Sequence, residues 1–136
     1  MYYVDADMRR HPFWDTKTFF TWADNWNDVI WVTDATLSTL PIGTAMLPKP
    51  GVVLVKIADG ASTYAIGTDG SGNPVLRLIP DETTAISLYG TAWADYVIDL
   101  EPTVFSKFGT GSTMSGSETV DRSIMKTRAQ LAAASI

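Results

Sequence analysis

The sequence has no cysteine, a single histidine, and only 10 Lys and Arg against 15 Asp and Glu. Without cysteine neither a disulfide nor a thiolate metal site can form, and one histidine excludes a multi-histidine zinc centre. A formal charge of -5 works against nucleic-acid binding, because phosphates demand a basic surface. Long apolar runs are absent too. Val52–Val55 is strand-length, far short of the roughly 20 residues a spanning helix needs, so no membrane span is expected. The opening Met1-Tyr2-Tyr3-Val4-Asp5-Ala6-Asp7 has no basic stretch followed by an apolar one, and it reads as free of a signal peptide.

Motifs for chemistry are equally scarce. No Gly-x-Ser-x-Gly elbow surrounds any serine, so His11 has no evident nucleophile to serve. Gly67–Gly72 is not followed by a helix opening on Lys-Ser or Lys-Thr, which excludes a phosphate cradle. Asp69-Gly70-Ser71-Gly72-Asn73 superficially resembles a calcium loop, yet Pro74-Val75-Leu76-Arg77 supplies no downstream acidic ligand; a hairpin turn is the better reading. The carboxylates of Asp5, Asp7, Asp15, Asp24, Asp28 and Asp34 show no spacing that singles out a catalytic pair. The expectation is a non-enzyme with no catalytic residue, metal or cofactor.

What is present is internal repetition. Tyr2-Tyr3-Val4, a turn and Arg9-Arg10-His11-Pro12 are answered by Thr63-Tyr64-Ala65-Ile66, a Gly-rich turn and Arg77-Leu78-Ile79-Pro80. Helical stretches follow at Asp15–Trp22 and Asp81–Tyr89, with Pro12 and Pro80 suited to the first turn and Gly90 to a stop. Each copy then reaches Trp-x-Asp, at Trp26-Asn27-Asp28 and Trp93-Ala94-Asp95, and a β-branched run, Val29-Ile30-Trp31-Val32 or Tyr96-Val97-Ile98. Leu37, Leu40 and Pro41 read as a further helical turn, and the copies close on Gly43 and Gly109. The predicted fold is α+β: two divergent hairpin–helix–strand repeats packed as a pseudo-twofold small domain, with a C-terminal strand or helix. The boundaries are 1–47 for copy one, 48–116 for copy two with its leading strand, and 117–136 for the tail.

That leading strand is Val52-Val53-Leu54-Val55-Lys56-Ile57, and copy one has no counterpart. Ile124-Met125-Lys126-Thr127 in the tail echoes it. A tail strand would complete copy one of the same chain, or of another subunit in a head-to-tail filament. Alternatively, Val120, Ile124, Arg128 and Leu131 stand at helical spacing, and 117–135 forms a terminal amphipathic helix.

The order of Val55-Lys56, Tyr64, Arg77, Ile79-Pro80, Trp93-Ala94-Asp95 and Gly109, with Tyr3, Arg9, Pro12, Trp26-Asn27-Asp28-Val29 and Gly43 in copy one, resembles a tandem repeat of bacterial cell-surface and secreted proteins. Tyr96 and His11 depart from its pattern, standing for Val and Ile. The resemblance implies an exported, structural or adhesive role, at the cell surface or outside it, and carries no catalytic residues.

Copy one is rich in tryptophan. Phe19, Phe20 and Trp22 are expected to face the core or the neighbouring copy, and Trp26, which matches Trp93, is expected in the core with it. Trp14, Trp22 and Trp31 have no counterpart and are candidates for a subunit interface, with core and glycan stacking as the other readings. With Ile124, Met125 and Lys126 they form the predicted interface set. The resulting expectation is a structural subunit that self-associates or enters a larger surface assembly; the alternative is an adhesion module that binds a glycan through these tryptophans.

Overall fold

The β-branched run after Gly51 forms the strand around which the larger sheet is laid. In the computed structural model, which describes residues 1–57 and 60–134, β3 (Leu54–Ile57) has strands on both sides. It pairs antiparallel with β4 (Thr63–Thr68) and parallel with β6 (Val97–Leu100). β4 continues through a tight turn into β5 (Pro74–Ile79), and β7 (Gly109–Thr110) lies parallel to β5 at the far edge. The smaller sheet is a hairpin of β1 (Tyr2–Val4) and β2 (Arg10–Pro12). The fold is therefore α+β, with two sheets of unequal size.

Alternation along β3 fills two clusters. Leu54 packs with Ala85, Leu88 and Tyr89, three of them on α3 (Glu82–Tyr89). Val53 and Val55 pack on the other side with Leu100, Val104 of α4 (Pro102–Phe105) and Phe108. The C-terminal helix α5 (Met125–Ala134) gives Met125 to the first cluster and Ala129 and Ala132 to the second. It also packs along α1 (Thr16–Trp22), and so joins the two halves of the chain. An Arg128–Asp24 ion pair at 3.0 Å reinforces that contact. No helix among the described residues is long and apolar enough to cross a membrane.

Within the tail Met125–Ala134 is thus a helix, which corrects the strand reading and also shortens the expected helix, since it does not reach back to Ser117. Only Ile124-Met125 favours a strand; from Lys126 onward the run is dominated by alanine, arginine, glutamine and leucine, which are good helix formers.

The two stretches share a hydrogen-bond skeleton. In the first turn Asp5 Oδ1 accepts the N–H groups of Asp7 and Arg9; in the second Asp69 Oδ1 accepts those of Ser71 and Asn73. Met8 and Gly72 both take positive φ, at 60° and 82°. The helices start alike, Asp15 capping Thr18 N–H at 2.8 Å and Asp81 capping Thr84 N–H at 2.7 Å. A later short helix follows each, α2 (Asp34–Ser38) capped by Thr33, and α4 preceded by Glu101. The chain then returns beside the hairpin: Gly43 and Met46 donate to Arg10 and Pro12, as Gly111 and Met114 donate to Leu76 and Leu78.

These bonds shift the correspondence expected from sequence. Asp15 matches Asp81, so Trp14, not Pro12, stands opposite Pro80, and Gly43 matches Gly111 rather than Gly109. Pro12 sits inside β2, and Pro80 precedes the α3 cap, so neither opens a helix. Prolines invite alignment because they are conspicuous, but the capping aspartates set where the helices begin.

A glycine is required where the returning chain crosses a long side chain. A Cβ at Gly111 would lie 2.8 Å from Val75 Cγ2 and 2.9 Å from Arg77 Cγ, and one at Gly43 would collide with the His11 ring. Gly111→Ala is expected to cost about 1–3 kcal/mol by overpacking, with Gly43→Ala also destabilising. Gly70→Ala, with nothing within 4 Å, is the neutral control. Chemical denaturation of the three variants checks the order; equal stability of Gly111→Ala and Gly70→Ala would contradict it.

Candidate functional site

The two stretches differ in how their extended segments are paired. In the larger sheet β3 lies between β4 and β6. Their counterparts are β1 and Val29–Val32, the latter leading into α2 as β6 leads into α4. Among the described residues β1 pairs only with β2, and Val29–Val32 pairs with nothing.

The open edge of β1 can be read from its ladder. Phe13 N–H donates to the Met1 carbonyl and Asp5 N–H to the Arg9 carbonyl across the hairpin, so by alternation Tyr3 faces β2 while Tyr2 and Val4 turn their N–H and C=O outward. The same alternation turns Tyr64 and Ile66 toward β3, where the Ile66 carbonyl accepts Gly51 N–H at 3.1 Å. No described residue bonds the outward groups of Tyr2 and Val4.

Val29–Val32 is apolar, and from Ile30 onward it is uncovered. Ile30 is 83% exposed, Trp31 93% and Val32 53%, whereas Ile98 and Leu100, at the places of Ile30 and Val32, are buried in the larger sheet; Asp99, at the place of Trp31, is exposed there too. Tyr3 and Val4 are also exposed. Ile30, Val32 and Val4 are not among the candidates nominated from sequence. Their signal is the match with Ile98, Leu100 and Ile66, all core residues of the larger sheet.

The predicted interface residues are dispersed. Trp31 lies on this open strip. Trp14 is partly exposed with Lys107 Nζ 4.7 Å from its ring centroid, and Trp22 donates from Nε1 to the Leu47 carbonyl at 2.8 Å with Lys49 over its ring. Met125 is buried within its own chain and has no surface to offer a partner; Ile124 and Lys126 beside it are exposed. Trp26, expected in the core, is 50% exposed. It stacks on Phe19 at 4.9 Å and meets Phe20 edge-on, so the phenylalanines are buried beneath it and it forms their lid.

Elsewhere a cleft of about 310 Å³ lies among Arg77, Tyr89, Met114, Glu118, Val120 and Met125. Its charges are already engaged: Arg77 bonds Glu118 at 2.9 Å and donates from Nε to the Ser112 carbonyl. The Ser115 N–H is the main cause that brings the Glu118 pKa down to about 2, while burial pushes that of Tyr89 up. Neither group exchanges its proton near neutral pH. Among the described residues no three His, Asp or Glu side chains converge.

His11 occupies the place of Arg77 and bonds in the same way. Its Nδ1 meets the Thr44 carbonyl and its Nε2 meets Asp5 Oδ2, each at 2.7 Å. Both partners accept, so both ring nitrogens carry hydrogen and the imidazolium is the form that fits. The Asp5 carboxylate, followed by the Thr44 carbonyl, raises the His11 pKa above its ordinary 6.5. A raised folded-state pKa gives stability that is complete below the unfolded value and is lost as pH rises through the folded one. The single histidine resonance in a proton NMR titration should therefore turn over above 6.5 and move down in Asp5→Asn. A midpoint at or below 6.5 in the parent chain would contradict this geometry.

Comparison with protein-family models, curated proteins and solved structures finds no match, so the functional reading rests on the chain's own geometry.

Proposed function

We propose that this chain is a non-enzymatic structural module of an extracellular or cell-surface assembly, built from two copies of one unit. The second copy is complete, and the first is open at its centre. The observation that carries this reading is the unpaired Val29–Val32 strip, exposed at Ile30, Trp31 and Val32, where the second copy has the paired β6 with Ile98 and Leu100 buried. Soluble proteins commonly protect strand edges with lysine, proline or a covering element. The outward edge at Tyr2 and Val4 has none of these among the described residues, which supports a surface kept for contact. The likeness to bacterial surface repeats supports the location.

Assembly through a terminal strand is not part of this reading, because α5 is helical and docked on its own chain. Sugar stacking on Trp14 and Trp22 draws less support, since a lysine lies over a face of each ring.

Sedimentation velocity over a wide concentration range tests the assembly reading. Association that grows with concentration and is weakened by Ile30→Lys, with unchanged circular dichroism, is the expected result. A chain that stays monomeric throughout would contradict it.

A further inference from the structure

We infer that the vacant position in the first copy accepts an extended strand with the chemistry of β3, supplied by a further unit of this kind. The strand would run antiparallel to Tyr2–Val4 and parallel to Val29–Val32. This inference rests on the assembly reading and names its partner.

The larger sheet specifies the occupant. Leu54 is opposite Ala65 and Val97, while Val55 is opposite Tyr64 and Ile98. Transferred through the shared skeleton, the first residue would lie between Tyr3 and Val29 and the second between Tyr2 and Ile30. The next two would meet Trp31 and Val32, as Lys56 meets Asp99 and Ile57 meets Leu100. A run of valine, leucine or isoleucine suits the three apolar places. At the remaining place the Lys56–Asp99 pair, 3.0 Å apart, is replaced by the face of an indole, which attracts a cation or takes an apolar side chain. The backbone has its own match: Tyr2 and Val4 offer outward N–H and C=O groups to an added strand.

A second copy of this chain cannot readily supply the strand. Its Leu54 and Val55 are 0% exposed at the centre of the sheet, and its Met125 and Ala132 are buried through α5. The folded β3 of a second copy is therefore not the strand proposed here.

The test titrates the full chain with a synthetic peptide of the sequence of residues 51–57, carrying a lysine tail for solubility, by calorimetry. A second peptide has proline at the position of Leu54. Saturable one-to-one binding is expected, weakened about tenfold or more by Ile30→Lys and absent for the proline peptide. Ile30 is largely exposed, so this variant should fold; amide spectra of the free variant verify it. Absence of binding, equal binding by Ile30→Lys, or equal binding of the proline peptide would overturn the proposal. If the chain self-associates while the peptide fails to bind, strand insertion falls and the assembly reading stands. If the peptide binds as expected to a chain that never self-associates, strand insertion stands and the assembly reading falls.

Discussion

The central pairing of β3 is the constraint on which this structure depends. A strand flanked on both sides must satisfy its backbone through its neighbours and its side chains through two cores. Val52–Ile57 does this by having β-branched and leucine side chains toward both faces. β4 and β6 are held apart by β3 and joined through it, so α3, α4 and the returning β7 all depend on it for position. Leu54 and Val55 are among the least exposed side chains of the protein. Without such a strand the flanking segments keep their apolar character but lose the ladder that would cover it.

A second constraint joins the halves. α5 lies along α1 and reaches both clusters of the larger sheet, using small residues at Ala129 and Ala132 where the approach is close. On the α1 side Thr18 and Thr21 are fully buried, and the Thr21 hydroxyl accepts Lys49 N–H at 2.9 Å. The first copy is therefore anchored by its helix and by the linker, while the outer edge of its sheet is left uncovered.

The α+β class was legible in the sequence because turn, capping and strand signals are local. The turn at Asp69–Asn73 and the helix ending at Gly90 follow from local chemistry, as does the leading strand, which begins at Leu54 rather than at Val52. The exact correspondence was not legible. It is set by Asp15 and Asp81 as caps and by Gly43 and Gly111 beneath His11 and Arg77, and such pairings emerge only when the chain is folded. The tail was ambiguous because Ile124-Met125 favours a strand while the alanines after it favour a helix, and burial on α1 decides between them. Trp26 was misplaced for a related reason: a large aromatic residue can cover a core as well as fill it. The open strip was half legible, since the missing leading strand was visible, but the exposure of Ile30 and Val32 required the structure.

Amide hydrogen exchange on the dilute, monomeric chain tests the vacant position most directly. Tyr3 N–H faces β2 and Tyr64 N–H faces β3, whereas Val4 N–H faces outward with no described partner. The account predicts slow exchange at Tyr3 and Tyr64 and fast exchange at Val4. Protection at Val4 equal to that at Tyr64 would mean that the edge is already covered, and the central claim would fail.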